Sequence, residues 1–188
     1  MTWLVVGLGN PGPSYAATRH NVGYLVTDVL AARMGGAFKA HTSKRADVVE
    51  GRLAGERAVL GRSRSYMNDS GGAVSTLAKY YDVEPEQLIV VQDELDLPFG
   101  SLRVKFGGGD NGHNGLRDIR SALGTGDYFR VRIGIGRPGR GGGVTDHVLK
   151  TFSRPDRKHL PVYIEEAADA VESLMTRGLE ATQSSFNR

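Results

Sequence analysis

The regular alternation of strand and helix patterns is the feature that most constrains the fold of these 188 residues. Short apolar or alternating runs predict strands, and apolar residues three and four positions apart predict helices. This order favours a three-layer α/β/α fold with a twisted, largely parallel sheet. A turn at Ala54 and Gly55 between two strand patterns predicts a hairpin, so we expect a mixed sheet. The predicted strands are residues 2–8, 46–53, 56–60, 88–91, 102–106 and 130–135, and the predicted helices are residues 21–34, 68–81, 113–123 and 156–177.

Single residues predict two of the helix starts. Asn68 or Ser70 is expected to cap the helix at residues 68–81, because both residue types accept hydrogen bonds from free backbone N–H groups. Pro161 lacks a backbone donor, so the helix at residues 156–177 is expected to begin or to kink there.

The length and composition predict a single globular domain spanning residues 1–188. Apolar residues make up 39% of the chain and charged residues 24%, which is ordinary for a globular protein. No run approaches the ~20 consecutive apolar residues that span a bilayer. The first residues pass directly into a strand pattern without a basic segment or a cleavage site. The chain has no cysteine, which excludes disulfides and thiolate chemistry. We therefore expect a cytoplasmic protein with no membrane anchor.

Positive charge is concentrated in one part of the chain. Residues 100–140 carry eight Lys and Arg side chains against three Asp and Glu, whereas residues 156–188 carry four against six. A local basic face of this kind suits a polyanion such as nucleic acid. The alternative is an ordinary solvated surface.

Residues 93–115 place several kinds of chemistry within one supersecondary unit. The apolar strand at residues 88–91 leads to Asp93, and two cations follow at Arg103 and Lys105. A glycine-rich run with the sequence GGGDNGHNG then carries Asn114. Ligands of open α/β sheets bind outside the carboxyl ends of the strands, so the sequence predicts a site at this edge.

His20 is the candidate general base. It lies between the first loop and the first helix, where a helix cap or a surface role is the alternative. If strands 2–8 and 88–91 are neighbours, His20 and Asp93 can approach each other. A carboxylate that binds one imidazole nitrogen fixes the tautomer and raises the basicity of the other nitrogen. This pair would activate a water molecule.

Three asparagines are candidate donors for such a reaction. The chain has no G-x-S-x-G sequence and no cysteine, so hydrolysis would proceed by direct attack of water. Asn10 follows the first strand, Asn68 starts a helix and Asn114 lies in the glycine-rich run. Each residue alone is commonly a turn or cap residue. Near the ends of three elements, they indicate a place to hold water, substrate and the developing oxyanion.

Two alternative sites carry less support. The run GLGNPG at residues 7–12 satisfies the dinucleotide pattern G-x-G-x-x-G. However, Pro11 removes a backbone donor, the helix is delayed, and no strand ending in an acidic residue follows at the required spacing of about 20 residues. The cluster of Asp93, Glu94 and Asp96 is a candidate for a hard cation, although turn and surface roles are commoner. We expect neither a metal nor an organic cofactor.

Six segments of the chain form an ordered set of motifs. They are VGLGNPG at residues 6–12, YAATRHN at 15–21, YMNDSG at 66–71, DELDLP at 93–98, GGGDNGHNGLR at 107–117 and RVRIGIG at 130–136. In this order they closely resemble bacterial peptidyl-tRNA hydrolases. The resemblance implies hydrolysis of the ester between a peptide and the 3′-terminal ribose of tRNA, which recycles tRNA from peptides that ribosomes drop. It implies that His20 is the general base and Asp93 its partner.

The resemblance also implies how substrate is bound. The partner would be the acceptor stem, the 3′ end and the attached peptide of peptidyl-tRNA, bound by a monomer that needs no cofactor. Asn10, Asn68 and Asn114 would position substrate and water. Other implied contacts are Tyr15, Met67 and His113 in the substrate cleft, and Arg103, Lys105 and Arg132 at the tRNA 5′-phosphate.

Some positions depart from the family pattern, namely Gln92, Phe99, Arg103 and the sequence RSRS at residues 62–65. They affect the shape of the cleft and the RNA contacts and remove no proposed catalytic group. A catalytically silent RNA-binding relative, of the kind that serves in splicing, is the alternative function, and a general esterase is a third. The presence of His20, Asp93 and the three asparagines favours the enzyme.

Overall fold

The computed structural model describes residues 1–187, in which one sheet lies between two layers of helices. The strands are β1 (Trp3–Gly7), β2 (Lys39–Ala40), β3 (Ala46–Leu53), β4 (Glu56–Ser63), β5 (Leu88–Glu94), β6 (Leu102–Phe106) and β7 (Phe129–Gly134). The α-helices are α1 (Val22–Arg33), α2 (Ser70–Tyr80), α3 (Asn114–Leu123), α4 (Val144–Val148), α5 (Arg154–Arg177) and α6 (Leu179–Phe186).

The sheet is mixed, as predicted. Its strand order is β2-β3-β4-β1-β5-β7-β6. The four central strands β4, β1, β5 and β7 are parallel, and β2, β3 and β6 pair antiparallel at the two sides. The hairpin between β3 and β4 turns at Ala54 and Gly55, as expected. The predicted three-layer α/β architecture is confirmed.

Both faces of the sheet are covered, which explains the continuous apolar character of β1. Alternate residues of a strand point to opposite faces. Val5 therefore joins the core beneath α1 and α5, whereas Leu4 and Val6 join the core beneath α2 and α3. Burying each such side chain contributes about 1.5–3 kcal/mol. None of the helices within residues 1–187 has both the length and the hydropathy needed to cross a bilayer.

The start of α2 differs from the prediction. A 3-10 turn at Met67–Asp69 precedes the helix, and Asp69 is the N-cap residue without a side-chain cap. Neither Asn68 nor Ser70 caps it, because the Ser70 hydroxyl donates to the Met67 carbonyl and Asn68 is exposed. The turn leaves the Asn68 side chain available at the edge of the sheet.

The C-terminal helices also differ from the prediction. Helix α5 begins at Arg154, where the Ser153 hydroxyl accepts from the Asp156 N–H, and it continues through Pro161. Pro161 is exposed, so the carbonyl that it leaves without a donor can be hydrated.

Strand β5 extends through Asp93 because this segment pairs with β7. Elements β2, α4 and α6 were not predicted, since all are short and two of them lie against distant segments.

Candidate active site

A cleft of about 340 Å³ opens at the carboxyl ends of β1 and β5. The chain adds β4 on one side of β1 and β5 on the other, so the cleft lies where the winding of the sheet reverses. Short helix α4 forms an apolar wall with Val144 and Val148. Eight residues predicted from the sequence line this cleft, namely Asn10, Tyr15, His20, Met67, Asn68, Asp93, His113 and Asn114.

His20 and Asp93 are joined by a short hydrogen bond, as the sequence predicts. The distance from His20 Nδ1 to Asp93 Oδ2 is 2.7 Å. Asp93 is 2% exposed, and the His20 side chain is 15% exposed at the cleft. Because an ionised carboxylate only accepts hydrogen bonds, the proton lies on Nδ1. His20 Nε2 therefore keeps its lone pair and can accept a proton from water.

His113 is the second partner of Asp93. Its Nε2 lies 2.7 Å from Asp93 Oδ1, and its Nδ1 accepts from the N–H groups of Gly115 and Leu116 as the N-cap of α3. Both ring nitrogens are thus engaged within the protein, and the two N–H donors disfavour a proton on Nδ1. A direct contact between His113 and substrate stays a prediction, and it would involve the carbon atoms of the ring.

The two imidazoles keep Asp93 ionised. Burial by itself would raise the pKa of the Asp93 carboxyl, but the adjoining His113 and His20 rings outweigh burial. They hold its pKa well below the ordinary range, because hydrogen bonds to a carboxylate favour the charged form. A charged Asp93 orients the His20 ring and stabilises the imidazolium that forms when His20 accepts a proton.

Asn10 presents a donor to the cleft. Its side-chain oxygen Oδ1 accepts from the Met67 N–H at 2.6 Å, which leaves Nδ2 as the group available to a substrate. The loop after β1 is held by Asn21, whose side chain bonds both the N–H and the carbonyl of Asn10. Asn21 is fully buried and was missed in the sequence analysis. Its place directly after His20 was the available signal.

Asn68 and Asn114 lie at the starts of two packed helices. Both side chains are exposed, and neither makes a hydrogen bond within residues 1–187. Helices α2 and α3 approach closely at Gly71, whose N–H donates to Asp118 at 2.7 Å. A Cβ atom at Gly71 would overlap the Asp118 backbone. This close contact fixes the spacing between the two helix starts that carry Asn68 and Asn114, both of which line the cleft.

Aromatic and apolar side chains complete the cleft. Tyr15 and Tyr66 meet edge to face with their ring centroids 6.0 Å apart. Met67 is buried beneath them. These groups and helix α4 offer contacts that do not depend on hydrogen-bonding side chains in a ligand.

Four cations form a basic strip on β6 and β7. The strand register places Arg103 opposite Arg132 and Lys105 opposite Arg130, so all four side chains leave the same face. Burial lowers the pKa of Lys105, and the charges of Arg132 and Arg130 lower it further. Closely spaced positive charges of this kind favour a bound anion. The strip does not line the cleft, but Glu94 contacts both.

Arg130 is the member of the strip whose role the sequence analysis missed. Its side chain is 1% exposed, although the alternating pattern of residues 130–135 places it on the face opposite Val131, Ile133 and Ile135. The guanidinium donates to the carbonyls of Gly108, Gly109 and Gly126 and lies over the Tyr128 ring. Arg130 therefore holds the glycine loop, which we define as residues 107–113.

The acidic residues that could hold a metal ion already have partners within the protein. Among residues 1–187, His20, Asp93 and His113 form a group whose ligand atoms lie within 4.8 Å of one another. An ion there would replace both imidazole hydrogen bonds, because each oxygen of Asp93 accepts one of them. In the other candidate cluster, Arg132 binds Glu94 and Arg137 binds Asp96.

Two of the three glycines in the run at residues 7–12 are explained by packing, which disfavours the dinucleotide alternative. A Cβ atom at Gly7 would overlap the Gly23 carbonyl of α1, and one at Gly9 would lie 2.8 Å from the Tyr24 ring. Both glycines therefore permit close contact between β1 and α1. Gly12, the third glycine, has a left-handed backbone with φ of 99°.

A second cleft of about 520 Å³ adjoins Asn10 on the β4 side. Arg62, which departs from the family pattern, lies in its wall. The guanidinium lies between the rings of Tyr24 and Phe38, at 4.7 and 4.0 Å from their centroids, and it binds Asp28. Arg62 thus fastens β4 to α1.

Comparisons with known proteins agree with this geometry. The sequence profile of the family described as Peptidyl-tRNA hydrolase matches residues 4–188. A peptidyl-tRNA hydrolase of Frankia alni is 58% identical over 185 residues, which cover 98% of this chain and 93% of that protein. One of Rhodococcus erythropolis is 59% identical over 182 residues, which cover 97% of this chain and 96% of that protein.

The fold is also found in a solved structure. The crystal structure of peptidyl-tRNA hydrolase from Acinetobacter baumannii superimposes with a TM-score of 0.92 at 36% sequence identity. The match covers 99% of this chain and 94% of that one. The similarity therefore extends over all three layers and includes the elements that carry the cleft.

Proposed function

This chain belongs to the peptidyl-tRNA hydrolase family and hydrolyses the ester between peptide and tRNA, and we propose that His20 is its general base. The observation that carries the proposal is the 2.7 Å hydrogen bond from His20 Nδ1 to the buried Asp93. It directs the free Nε2 toward the cleft. A neutral imidazole so held accepts a proton from water, and such assistance typically contributes about 10²–10⁴-fold.

The proposed reaction has two proton transfers. His20 Nε2 takes a proton from water as the water oxygen attacks the ester carbonyl carbon. The bond from that carbon to the ribose 3′-oxygen then breaks, and the imidazolium returns the proton to the leaving oxygen. Free tRNA and a peptide carboxylic acid result, the acid then loses its remaining proton to solvent, and Asp93 stays ionised throughout.

Asn10 is proposed to stabilise the oxyanion of the tetrahedral intermediate. Its Nδ2 is the donor left over after Oδ1 has accepted from the Met67 N–H. A neutral donor placed where charge develops lowers the barrier without reorganisation. Asn68 and Asn114 are proposed to bind the peptide backbone, because both line the cleft and neither side chain has a hydrogen-bond partner within residues 1–187.

The rest of the substrate is assigned by charge and shape. Tyr15 and Met67 are proposed to contact the peptide, whose side chains vary. The basic strip, through Arg103, Lys105 and Arg132, is proposed to bind the 5′-phosphate of the tRNA acceptor stem, which all tRNAs share. We propose a single catalytic domain that works as a monomer in the cytoplasm, where translation supplies its substrate.

The test is the release of free tRNA from N-acetyl-aminoacyl-tRNA, with and without a chelator. His20→Ala should lower kcat by about 10²–10⁴-fold with little change in tRNA affinity. His159→Ala, at an exposed histidine on α5, is the matched control and should retain full activity. Near-normal turnover by His20→Ala would remove His20 from the mechanism.

The alternative of a silent RNA-binding relative is not favoured. A protein that only binds RNA has no need for a buried carboxylate that orients a histidine toward a cleft. A general esterase would hydrolyse a small N-acetyl-amino acid ester as efficiently as the tRNA substrate. Comparing the two substrates distinguishes that function from the proposed one.

A further inference from the structure

The basic strip and the glycine loop are joined by direct contacts. Lys105 lies against the backbone of Gly108, where a Cβ atom would be 2.7 Å from its Nζ. Arg130 binds the carbonyls of Gly108 and Gly109. Arg132 reaches the loop through Glu94. Two of the four cations thus contact the segment that carries His113, the partner of Asp93, and Arg132 is linked to that segment through Glu94.

Glu94 is the residue between Arg132 and the loop. It is 5% exposed, and its two oxygens face different partners. Oε1 accepts from Arg132 Nε at 3.1 Å and from Arg132 Nη2 at 2.8 Å. Oε2 accepts from Asn111 Nδ2 at 2.9 Å and from the Asp96 N–H at 3.3 Å.

On one side, Glu94 directs the Arg132 guanidinium. That group has five N–H donors in a planar fork. Glu94 engages the Nε proton and one Nη2 proton, which leaves the Nη1 edge without a partner in residues 1–187. The free edge is suited to a phosphate, which guanidinium groups bind through two parallel hydrogen bonds.

On the other side, Glu94 holds the glycine loop. Asn111 has a left-handed backbone, with φ of 51°, and its amide also donates to Asp96 at 2.5 Å. His113 follows two residues later and binds Asp93. A displacement of Asn111 would therefore be transmitted over a short segment to the catalytic carboxylate.

We propose that Glu94 is a positioning residue that couples phosphate binding at Arg132 to the placement of the glycine loop over the catalytic cleft. The inference rests on the proposed function, which assigns the 5′-phosphate to the strip. A bound phosphate offsets the repulsion among Lys105, Arg130 and Arg132. Arg132 then holds Glu94 in one position, and Glu94 holds Asn111.

This coupling has a consequence for specificity. Binding of the tRNA 5′-phosphate, which does not itself react, would raise kcat, because it increases the fraction of enzyme with an ordered loop. Esters without tRNA would bind the same cleft and react slowly. The enzyme would then hydrolyse other esters only slowly, although its cleft accepts many peptides.

The test compares N-acetyl-aminoacyl-tRNA bearing a 5′-phosphate with the same substrate bearing a 5′-hydroxyl. Coupling between sites typically amounts to about 5- to 150-fold, so we expect removal of the phosphate to lower the wild-type kcat at least ~5-fold and to raise KM. In Asn111→Gly, which suits the left-handed backbone, the phosphate should still change KM by the wild-type factor but should no longer change kcat. Glu94→Gln should lose the effect on kcat and part of the effect on KM.

The control variant is Arg57→Ala, at an exposed cation near the amino end of β4, which should keep the wild-type phosphate effect on both constants. If Glu94→Gln does not fold, Asn111→Gly decides alone. A phosphate effect confined to KM in the wild type, or an unchanged kcat effect in Asn111→Gly, would overturn the coupling and leave the proposed phosphate site intact. No phosphate effect on either constant would overturn both.

Discussion

Asp93 shows how one buried side chain determines the chemistry of its neighbours. Its two oxygens receive hydrogen bonds from His20 and His113, both at 2.7 Å. His113 cannot exchange its role with His20, because its other nitrogen already accepts from the start of α3. Of these two histidines, His20 alone keeps a ring nitrogen without a partner in residues 1–187. The hydrogen bonds at the start of α3 thus distinguish His113 from the proposed general base.

Asn10 offers a test of amide orientation at the residue scale. Asn10→Asp keeps an oxygen for the Met67 N–H but replaces the cleft donor with a second acceptor. We expect kcat to fall by at least the ~10²–10³-fold that follows loss of one oxyanion donor. Asn10→Ala should lose comparable activity and also lose stability, because the buried Met67 N–H is left without its partner.

The measurement is single-turnover hydrolysis of N-acetyl-aminoacyl-tRNA, with thermal unfolding of each variant. A higher Tm for Asn10→Asp than for Asn10→Ala, at equally low activity, separates the donor from the structural acceptor. Normal hydrolysis by Asn10→Asp would assign the oxyanion to another group.

At the scale of elements, β6 and β7 act together through their register. Antiparallel pairing puts Arg103 beside Arg132 and Lys105 beside Arg130, although each pair is separated by at least 25 positions in the chain. Burial is the main cause of the lowered pKa of Lys105, and the neighbouring charges of Arg132 and Arg130 lower it further. A bound anion would offset the repulsion among these charges.

The salt dependence of tRNA binding tests the strip. In the double variant Arg103→Ala with Lys105→Ala, the slope of log Kd against log salt should flatten by about one unit for each tRNA phosphate that the protein no longer neutralises. The Arg132–Glu94 pair is left in place. Filter binding of deacylated tRNA at several KCl concentrations gives the slope.

The matched control also removes two charges. Arg52 and Arg57 are exposed cross-strand neighbours on the hairpin of β3 and β4. Their double alanine variant should keep the wild-type slope. An equal flattening in both double variants would mean that total charge matters and that the strip has no special part.

At the scale of the whole molecule, the last described residues cover an open edge of the sheet. Strand β6 is the outermost strand, and Asn187 pairs with both backbone groups of Val104, accepting from its N–H at 2.7 Å and donating to its carbonyl at 3.3 Å. Gln183 of α6 donates to the same carbonyl. An uncovered edge would offer a template for pairing with a second chain.

Removing this cover should therefore affect association as well as stability. We expect Gln183→Ala with Asn187→Ala to lower the free energy of unfolding by about 1.5–4.5 kcal/mol, the sum over three hydrogen bonds. Sedimentation velocity should show concentration-dependent association of the variant. Ser184→Ala, at an exposed position of α6, is the control. A variant that stays as monomeric as the control would show that the edge needs no cover.

Much of this molecule follows from local sequence patterns. Apolar periodicity predicts the strands of the central sheet and the helices that pack on it, because one face or both faces of each element must be buried. The pairing of His20 with Asp93 is predictable too, since carboxyl ends of neighbouring parallel strands converge at one edge. The family follows from six short segments that include these residues.

Other features depend on contacts that no local pattern encodes. The burial of Arg130, the bond of His113 to Asp93, the direction of the Asn10 amide and the two-sided contacts of Glu94 each involve segments far apart in the chain. Periodicity reports which face of an element is buried, whereas the partner of a polar atom is set by the packing of whole elements. The pairing of His20 with Asp93 was therefore predictable from the sequence. The contacts that hold these residues and their neighbours in place depend on the tertiary structure.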